Sequence, residues 1–307
     1  MRRAYVALVL SLVSWGISVT VADTALDVLS AADLLVAEIA IGTLFVGLAL
    51  LVLRRPLNAP WRSAALLGSL EPAGAYLLAN LGLARTSAAA GSLLISLESV
   101  FAVALAWLFL RERLSRREAL AIGLGLAGAT VVALTQQGGE RSTLGNLLLV
   151  LSSVAAGGYV VLARRYAVGV DPLSLVFKQG VASLLLVLPF AAVSWTTDGS
   201  RFVGAAAGTW ALAALAGLVG FAIPFTLWSF GASQVRPGVA AAGLNLIPVV
   251  GVLSAAVFGR GLPTAPQVVG GLVILAGLAL LSATPGDGED SLPDGSLSPD
   301  PVPCSSR

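Results

Sequence analysis

Long apolar stretches follow one another along almost the whole chain, separated by short links. About ten of them have the length at which a helix crosses a bilayer, about 17–24 residues at a rise of about 1.5 Å per residue. They cover residues 4–22, 34–53, 62–84, 87–110, 118–135, 143–163, 173–195, 210–230, 239–258 and 265–282. Apolar runs of this length exclude the strands of a membrane barrel, which are shorter and alternate in polarity. The sequence therefore predicts an all-α membrane protein with about ten transmembrane helices.

The composition excludes several other classes of protein. Hydrophobic residues make up 57% of the 307 residues and charged residues only 11%, so a soluble domain of this length would expose a large apolar surface. A formal net charge of +2 provides no basic surface for a nucleic acid. The chain has no His and a single Cys, Cys304, which excludes a Cys/His metal site and His-based acid–base catalysis. We expect no metal ion, no other cofactor and no nucleic-acid partner.

Arginines are distributed unevenly between alternate links, and this distribution predicts the orientation. One set of links carries most of them: Arg2, Arg3, Arg54, Arg55, Arg62, Arg111, Arg113, Arg116, Arg117, Arg164, Arg165 and Arg236. The opposite links carry one apiece: Arg85, Arg141, Arg201 and Arg260. Because basic links stay in the cytoplasm, we predict a multi-pass protein of the cell (inner or plasma) membrane with both termini cytoplasmic. The alternative is that the first stretch is a signal peptide cleaved near Ala22, which would leave about nine spans.

An internal repeat relates the two halves of the apolar region. The pattern of small and apolar residues from Leu81 to Val100 recurs from Phe230 to Val249, about 149 positions later. Five helices in each half is an odd number, so the second half must enter the membrane inverted, as in alternating-access carriers. We predict a first five-helix repeat over residues 1–140 and an inverted second repeat over 141–284. Residues 285–307 are rich in Pro, Asp, Ser and Gly and are predicted to form a disordered cytoplasmic tail.

Four short motifs are distributed along the predicted helices. They are Trp15-Gly16, Leu97-Glu98-Ser99-Val100-Phe101, Glu112-Arg113-Leu114-Ser115 and Tyr159-Val160-Val161-Leu162-Ala163-Arg164-Arg165. In this order and spacing they resemble the drug/metabolite transporter superfamily, in its ten-helix EamA-type branch, over nearly all of residues 4–282. The resemblance implies two inverted five-helix repeats and the export or exchange of amino acids, metabolites or drugs.

Three acidic residues lie inside predicted spans: Glu38, Glu71 and Glu98. A carboxylate in hydrocarbon costs at least about 2.5–3.5 kcal/mol, so it persists only against protein, water or a binding partner. At about 1.5 Å per residue, Glu71 and Glu98 both fall near the midplane, on adjacent helices. We predict that they bind the cationic part of the substrate and a coupling proton in turn, because two close carboxylates disfavour simultaneous ionisation. The alternative is that each one hydrogen-bonds a neighbouring helix and only fixes the packing.

Further residues are predicted to complete a polar pocket around these acids. Pro248 interrupts the ninth helix and is expected to free the carbonyl of Leu244, with Asn245 one turn away. Ser96 holds the place of Asn245 on the fourth helix. Trp15 also falls near the midplane, where its ring either covers a cation or packs between helices.

Glu38 and Lys178 occupy matching places on the second and seventh helices. Their expected depths differ too much for a direct pair. We predict that they form gates on opposite sides of the membrane, each with its own partner. For Lys178 we favour the alternative that its amine extends to the cytoplasmic interface.

These features together favour a secondary active transporter, an exporter of small metabolites such as amino acids or organic amines. It would work by alternating access around a midplane site between the repeats. Two other functions stay open: a membrane-embedded enzyme acting on lipid, with Glu71 and Glu98 as acid and base, and a non-transporting scaffold or sensor. The expected partners are the bilayer, a small-molecule substrate and a coupling proton. Whether the chain forms a homo-oligomer stays open, since faces of small residues suit self-association and internal packing equally.

Overall fold

The computed structural model describes residues 2–111, 115–134, 139–166, 169–232 and 243–282, and these ranges are helical with short connections. The α-helices are α1 (Arg2–Ala25), α2 (Ala31–Val52), α3 (Trp61–Gly68), α4 (Ala75–Leu83), α5 (Ala88–Ile95), α6 (Glu98–Leu110), α7 (Arg116–Leu134), α8 (Gly139–Tyr166), α9 (Pro172–Asp198), α10 (Ala207–Gly217), α11 (Ile223–Ala232), α12 (Leu246–Val257) and α13 (Ala265–Ser282). The predicted tail and the start of the predicted ninth span lie outside the described residues. Residues Glu112, Arg113, Leu114, Arg236 and Cys304 lie outside them as well.

Six of the described helices are long and apolar enough to cross a membrane. They are Arg2–Ala25, Ala31–Val52, Ala88–Phe109, Thr143–Ala163, Pro172–Asp198 and Ala207–Trp228. Two shorter apolar helices, Leu246–Val257 and Ala265–Leu281, follow near the end of the described chain. The prediction of an all-α fold is therefore confirmed for the part of the chain that the structure describes, and these helices have the length and composition of membrane spans.

Two π-helical segments interrupt predicted spans. Ser69–Gly74 joins α3 to α4, and Leu218–Ala222 joins α10 to α11. In the first segment Glu71 has an extended backbone (φ −145°, ψ 127°), as expected for the residue before a proline. Pro72 also lacks the N–H that would continue the helical ladder. The first residues of the two segments, 69 and 218, are 149 positions apart, which is the spacing of the sequence repeat.

Helix starts follow local capping chemistry. Ser30 precedes α2 and forms a capping box with Asp33, in which each side chain accepts a hydrogen bond from the other residue's backbone. Asp171 precedes α9 and accepts from the backbone N–H of Ser174 over 3.1 Å. These caps explain why α2 begins three residues, and α9 one residue, before the apolar stretch that predicted it.

The helices pack in pairs that join the two halves of the chain. α1 packs against α11 and α12, α2 against α9 and α10, α8 against α4 and α6, and α7 against α13. Glycines permit the closest crossings: a Cβ added to Gly128 of α7 would lie 2.5 Å from the carbonyl oxygen of Gly270 on α13. Small residues at crossings are how membrane helices gain packing contacts without a hydrophobic driving force.

Two hydrogen bonds between helices recur at equivalent places. Ser11 Oγ on α1 donates to the carbonyl of Pro224 over 2.8 Å. Ser152 Oγ on α8 donates to the carbonyl of Ala75, also over 2.8 Å. The two acceptors, residues 75 and 224, are 149 positions apart. In both cases a serine near the middle of a long helix binds a carbonyl just beyond a π-helical segment.

Candidate functional site

A cavity of about 500 Å³ lies between the helices, and both halves of the chain contribute to its wall. The polar and aromatic residues that line it are Trp15, Ser18, Glu38, Glu71, Tyr76, Asn80, Glu98, Ser152, Tyr159, Phe225 and Trp228. Small and aliphatic residues such as Ala79, Ile95, Val160, Leu175 and Gly220 form most of the remaining wall. A concave, mostly apolar space with a few convergent polar groups is typical of a small-molecule site.

Glu71 and Glu98 reach the cavity from two breaks in the helices. Glu71 is the extended residue inside the first π-helical segment, and Glu98 begins α6 directly after the turn at Ser96 and Leu97. The two carboxyl groups lie close enough to interact electrostatically. Among the described residues, none donates a hydrogen bond to either carboxyl group and none forms a salt bridge with it.

Glu38 lines the same cavity and has a defined partner. Asn80 Nδ2 on α4 donates to Glu38 Oε2 on α2 over 2.7 Å. A Cβ added to Gly220, in the second π-helical segment, would lie 3.7 Å from Glu38 Oε1. One carboxylate oxygen is thus held by Asn80, while the other faces a wall residue that has no side chain. The sequence predicted a separate partner for Glu38, and the structure in addition brings Glu38 to the same cavity as the other two acids.

Aromatic rings form one side of the cavity. The ring of Trp15 meets Phe225 edge-on at 5.1 Å and lies 5.6 Å from Trp228, measured between ring centroids. Tyr76 donates its hydroxyl hydrogen to the carbonyl of Gly220 over 2.8 Å, which holds the phenol ring against the second π-helical segment. These contacts restrict the rotation of the rings, so the rings present defined faces to a ligand in the cavity.

Lys178 lies away from the cavity. Its Nζ donates to the carbonyl oxygens of Ala59 over 2.7 Å and Leu57 over 3.0 Å, and it sits 5.2 Å from the centroid of the Trp61 ring. Its side chain is buried and holds the link between α2 and α3 against α9. The partner of Lys178 is therefore the backbone of this link, and its role as a gate stays a prediction.

Three further predicted site residues lie outside the cavity lining. Ser96 donates to the carbonyl of Leu93 over 2.7 Å and ends α5, and Asn245 precedes α12. Pro248 sits in the first turn of α12, where a proline is tolerated because the first N–H groups of a helix have no partner within the helix. The carbonyl of Leu244 was expected to be free, but it accepts a hydrogen bond from the N–H of Ile247 over 3.1 Å.

A charged cluster joins the end of α1 to the link between α12 and α13. Arg260 Nε donates to Asp23 Oδ2 over 2.6 Å, and its other nitrogens bind Asp27 and the carbonyl of Asp23. Donating these hydrogen bonds to Asp27 and Asp23 raises the pKa of the Arg260 guanidinium above its usual value. Arg260 therefore stays protonated at physiological pH and ties the two connections together.

The sequence profile of the EamA-like transporter family matches residues 2–134 and then matches residues 143–283 as well. The chain belongs to the EamA-like transporter family. This confirms the resemblance that the sequence motifs indicated, and it places the cavity inside a multi-pass membrane protein. Because members of this family cross the membrane, the apolar outer faces of the helices are lipid-facing surfaces rather than sites of aggregation.

Several relatives of this EamA-like protein carry descriptive names. It is 28% identical over 288 residues to the "Probable terminal-alkyne amino-acid exporter" of Streptantibioticus cattleyicolor, covering 92% of this chain and 94% of the relative. It is 26% identical over 194 residues to the "Probable amino-acid metabolite efflux pump" of Salmonella typhimurium, covering 61% and 64% of the two chains. A crystal structure of a protein with 20% identity superposes with a TM-score of 0.64 over 91% of this chain and 96% of the other, which shows a shared fold.

Sequence reasoning missed several residues of the EamA-like cavity. Asn80, Tyr76 and Tyr159 line the wall, and none of them was singled out as a site residue. Tyr76 and Asn80 are four residues apart on α4, so they project from one face of the helix. The sequence did contain a signal for Asn80, because it is an amide inside an apolar span. A buried polar group needs a hydrogen-bond partner, and the partner of Asn80 is Glu38.

Proposed function

We propose that this protein is a secondary active transporter that exports small metabolites, such as amino acids or organic amines, through the cavity. The observation that carries the proposal is that Glu38, Glu71 and Glu98 all line one cavity of about 500 Å³ within a membrane protein. Ionisable groups inside membrane helices are costly, and they mark substrate or ion pathways. The size of the cavity suits a solute of metabolite dimensions, since small-molecule sites measure about 300–1,000 Å³.

The names of two relatives favour export over uptake. One is called an amino-acid exporter and the other an amino-acid metabolite efflux pump. We propose the same direction of transport, export, for this chain. The identity of the metabolite does not follow from relatives at 26–28% identity, because a few side chains in the cavity wall decide what binds.

We propose an architecture of ten membrane-crossing helices in two inverted repeats, over residues 1–140 and 141–284. Two serine–carbonyl bonds, whose acceptors are 149 positions apart, and two π-helical segments, which begin 149 positions apart, support this arrangement. A further pair of contacts supports it. Gly16 packs on the carbonyl of Ile247, and Gly157 packs on the carbonyl of Glu98. These two carbonyls, at residues 98 and 247, are also 149 positions apart. In such repeats the substrate site lies where the halves meet, and rocking of one against the other alternates its access. The uneven distribution of arginines favours cytoplasmic termini.

For energy coupling, we propose that Glu71 and Glu98 bind a proton and the cationic part of the substrate in turn. Their mutual repulsion disfavours double ionisation, so the site holds either a proton or a cation. Trp15 lies on the same cavity, where its ring covers the bound cation. Glu38 and Lys178 are proposed to control access from opposite sides, Lys178 by holding the link between α2 and α3.

Transport by the purified protein in liposomes tests this proposal. Internal pH is followed while a panel of amino acids and organic amines is added outside. We expect a substrate-dependent proton flux that is lost in Glu98→Gln and kept in Asp198→Asn, a control that removes an exposed carboxylate at the end of α9. Movement of radiolabelled substrate without a proton flux would contradict the coupling. An equal flux in Glu98→Gln would remove Glu98 from the pathway.

A further inference from the structure

The charged groups on the cavity wall all have one sign. Glu38, Glu71 and Glu98 line it, and no Lys or Arg is present among the described residues that do so. The polar groups that accompany them are an amide, two serines and the hydroxyls of Tyr76 and Tyr159. None of these compensates a substrate carboxylate with a positive charge. Any of these acids that is ionised attracts cations and repels anions.

Three basic side chains of the described helices and links are bound outside the cavity. Lys178 donates to two backbone carbonyls in the link before α3. Arg85 donates to the carbonyl of Leu81 over 2.7 Å, and Arg260 is bound by Asp23 and Asp27. Recruiting any of them to a substrate carboxylate would break hydrogen bonds that the helix ends require.

The aromatic wall adds a second preference. Trp15, Phe225 and Trp228 form a contiguous set of rings beside the three acids. The faces of aromatic rings carry a negative quadrupole that attracts organic ammonium groups, and their edges and planes pack against apolar bodies. A cation with an apolar or aromatic body matches this combination of groups better than a small hydrophilic ion.

We propose that the substrate is an organic amine that carries no carboxylate, and that Glu38 with Asn80 forms a second cation subsite beside Glu71 and Glu98. This inference rests on the proposed transport function and narrows its substrate class. Asn80 orients the carboxylate of Glu38 by binding Oε2, and Gly220 leaves the space next to Oε1 unfilled. An amino acid would bring its own carboxylate among three others, with no Lys or Arg among the described lining residues to receive it, so it is the poorer ligand.

Matched ligand pairs test the substrate class directly. Tyramine and tyrosine differ only by the carboxylate, as do cadaverine and lysine. Binding to the purified full-length protein in detergent is measured by calorimetry. We expect each amine to bind at least about tenfold more tightly than its amino acid. Equal or tighter binding of the amino acids would overturn the proposal, and so would the absence of binding by both amines.

Substitutions test the second subsite. Glu38→Gln is expected to weaken amine binding at least about tenfold, and Asp198→Asn is expected to leave it unchanged. If Glu38→Gln does not fold, Gly220→Val replaces it: this variant keeps all three carboxylates and fills the space beside Glu38 Oε1. Amine binding that is unchanged in a folded Glu38→Gln or Gly220→Val protein would overturn the subsite.

Failure of this inference and failure of transport give different results. Amine binding without amine movement in liposomes would keep the cation site and contradict the transport function. Transport of amino acids in preference to their amines would keep the transport function and overturn the substrate class.

Discussion

Asn80 and Glu38 form a hydrogen bond of 2.7 Å that joins α4 to α2 at the wall of the cavity. The two residues are 2% and 4% exposed, so protein encloses both side chains almost completely. The bond satisfies one carboxylate oxygen and fixes the direction in which the other points. The hydrogen bond therefore fixes the position of Glu38 before a ligand binds.

Asn80→Ala is expected to destabilise the protein. It leaves the buried carboxylate of Glu38 without its donor, at a cost of about 1–3 kcal/mol. Thermal unfolding in detergent measures the change, and a double-mutant cycle with Glu38→Leu, which removes the acceptor, isolates the contribution of the pair. If the two substitutions add independently, the bond contributes nothing to stability.

Gly128→Ala is expected to disrupt the crossing of α7 and α13. The new Cβ would lie 2.5 Å from the carbonyl oxygen of Gly270 and 2.8 Å from a side-chain carbon of Ile274. Overpacking of this kind costs about 1–3 kcal/mol. Gly123→Ala is a matched control on the same helix, since its Cβ would meet nothing within 4 Å. Comparable thermal stabilities of the two variants would contradict the close crossing.

Ser11→Ala and Ser152→Ala are expected to destabilise the protein by similar amounts. Each removes one hydrogen bond of 2.8 Å to a backbone carbonyl that follows a π-helical segment. Interhelical hydrogen bonds of this type contribute about 0.6 kcal/mol on average in membrane proteins. Thermal unfolding of the single and double variants tests whether the costs match and add. A large asymmetry between them would argue against the proposed inverted repeat.

Arg260→Gln is expected to loosen one end of the cavity, on the proposed external side. It removes the guanidinium that bridges Asp23 and Asp27 to the link before α13. Access is measured by the rate at which an impermeant maleimide labels Ser18→Cys, a cavity residue, in a background that also carries Cys304→Ser. We expect faster labelling from outside when Arg260 is replaced.

Arg201→Gln provides the control for this measurement. Arg201 is exposed, and its backbone N–H, which the substitution keeps, donates to Asp33. Its labelling rate should match that of the parent protein. An Arg260→Gln rate that also matches the parent would show that the charged cluster does not restrict access.

Hydropathy along the chain was enough to predict an all-α membrane protein, and the short motifs were enough to indicate its family. Both properties depend on length, order and composition, which a linear pattern records. The choice of Glu71 and Glu98 as candidates also came from the chain alone, because a carboxylate in an apolar span is rare whatever its surroundings.

Only the tertiary structure decided how these residues meet. Glu38 lies on the same cavity wall as Glu71 and Glu98. Lys178 instead binds the link before α3. A helix that is apolar all round gives no signal for its rotation, because lipid-facing and protein-facing sides have the same hydropathy. Rotation is set instead by where a glycine such as Gly128 lets two backbones approach and by which carbonyl a serine such as Ser11 reaches.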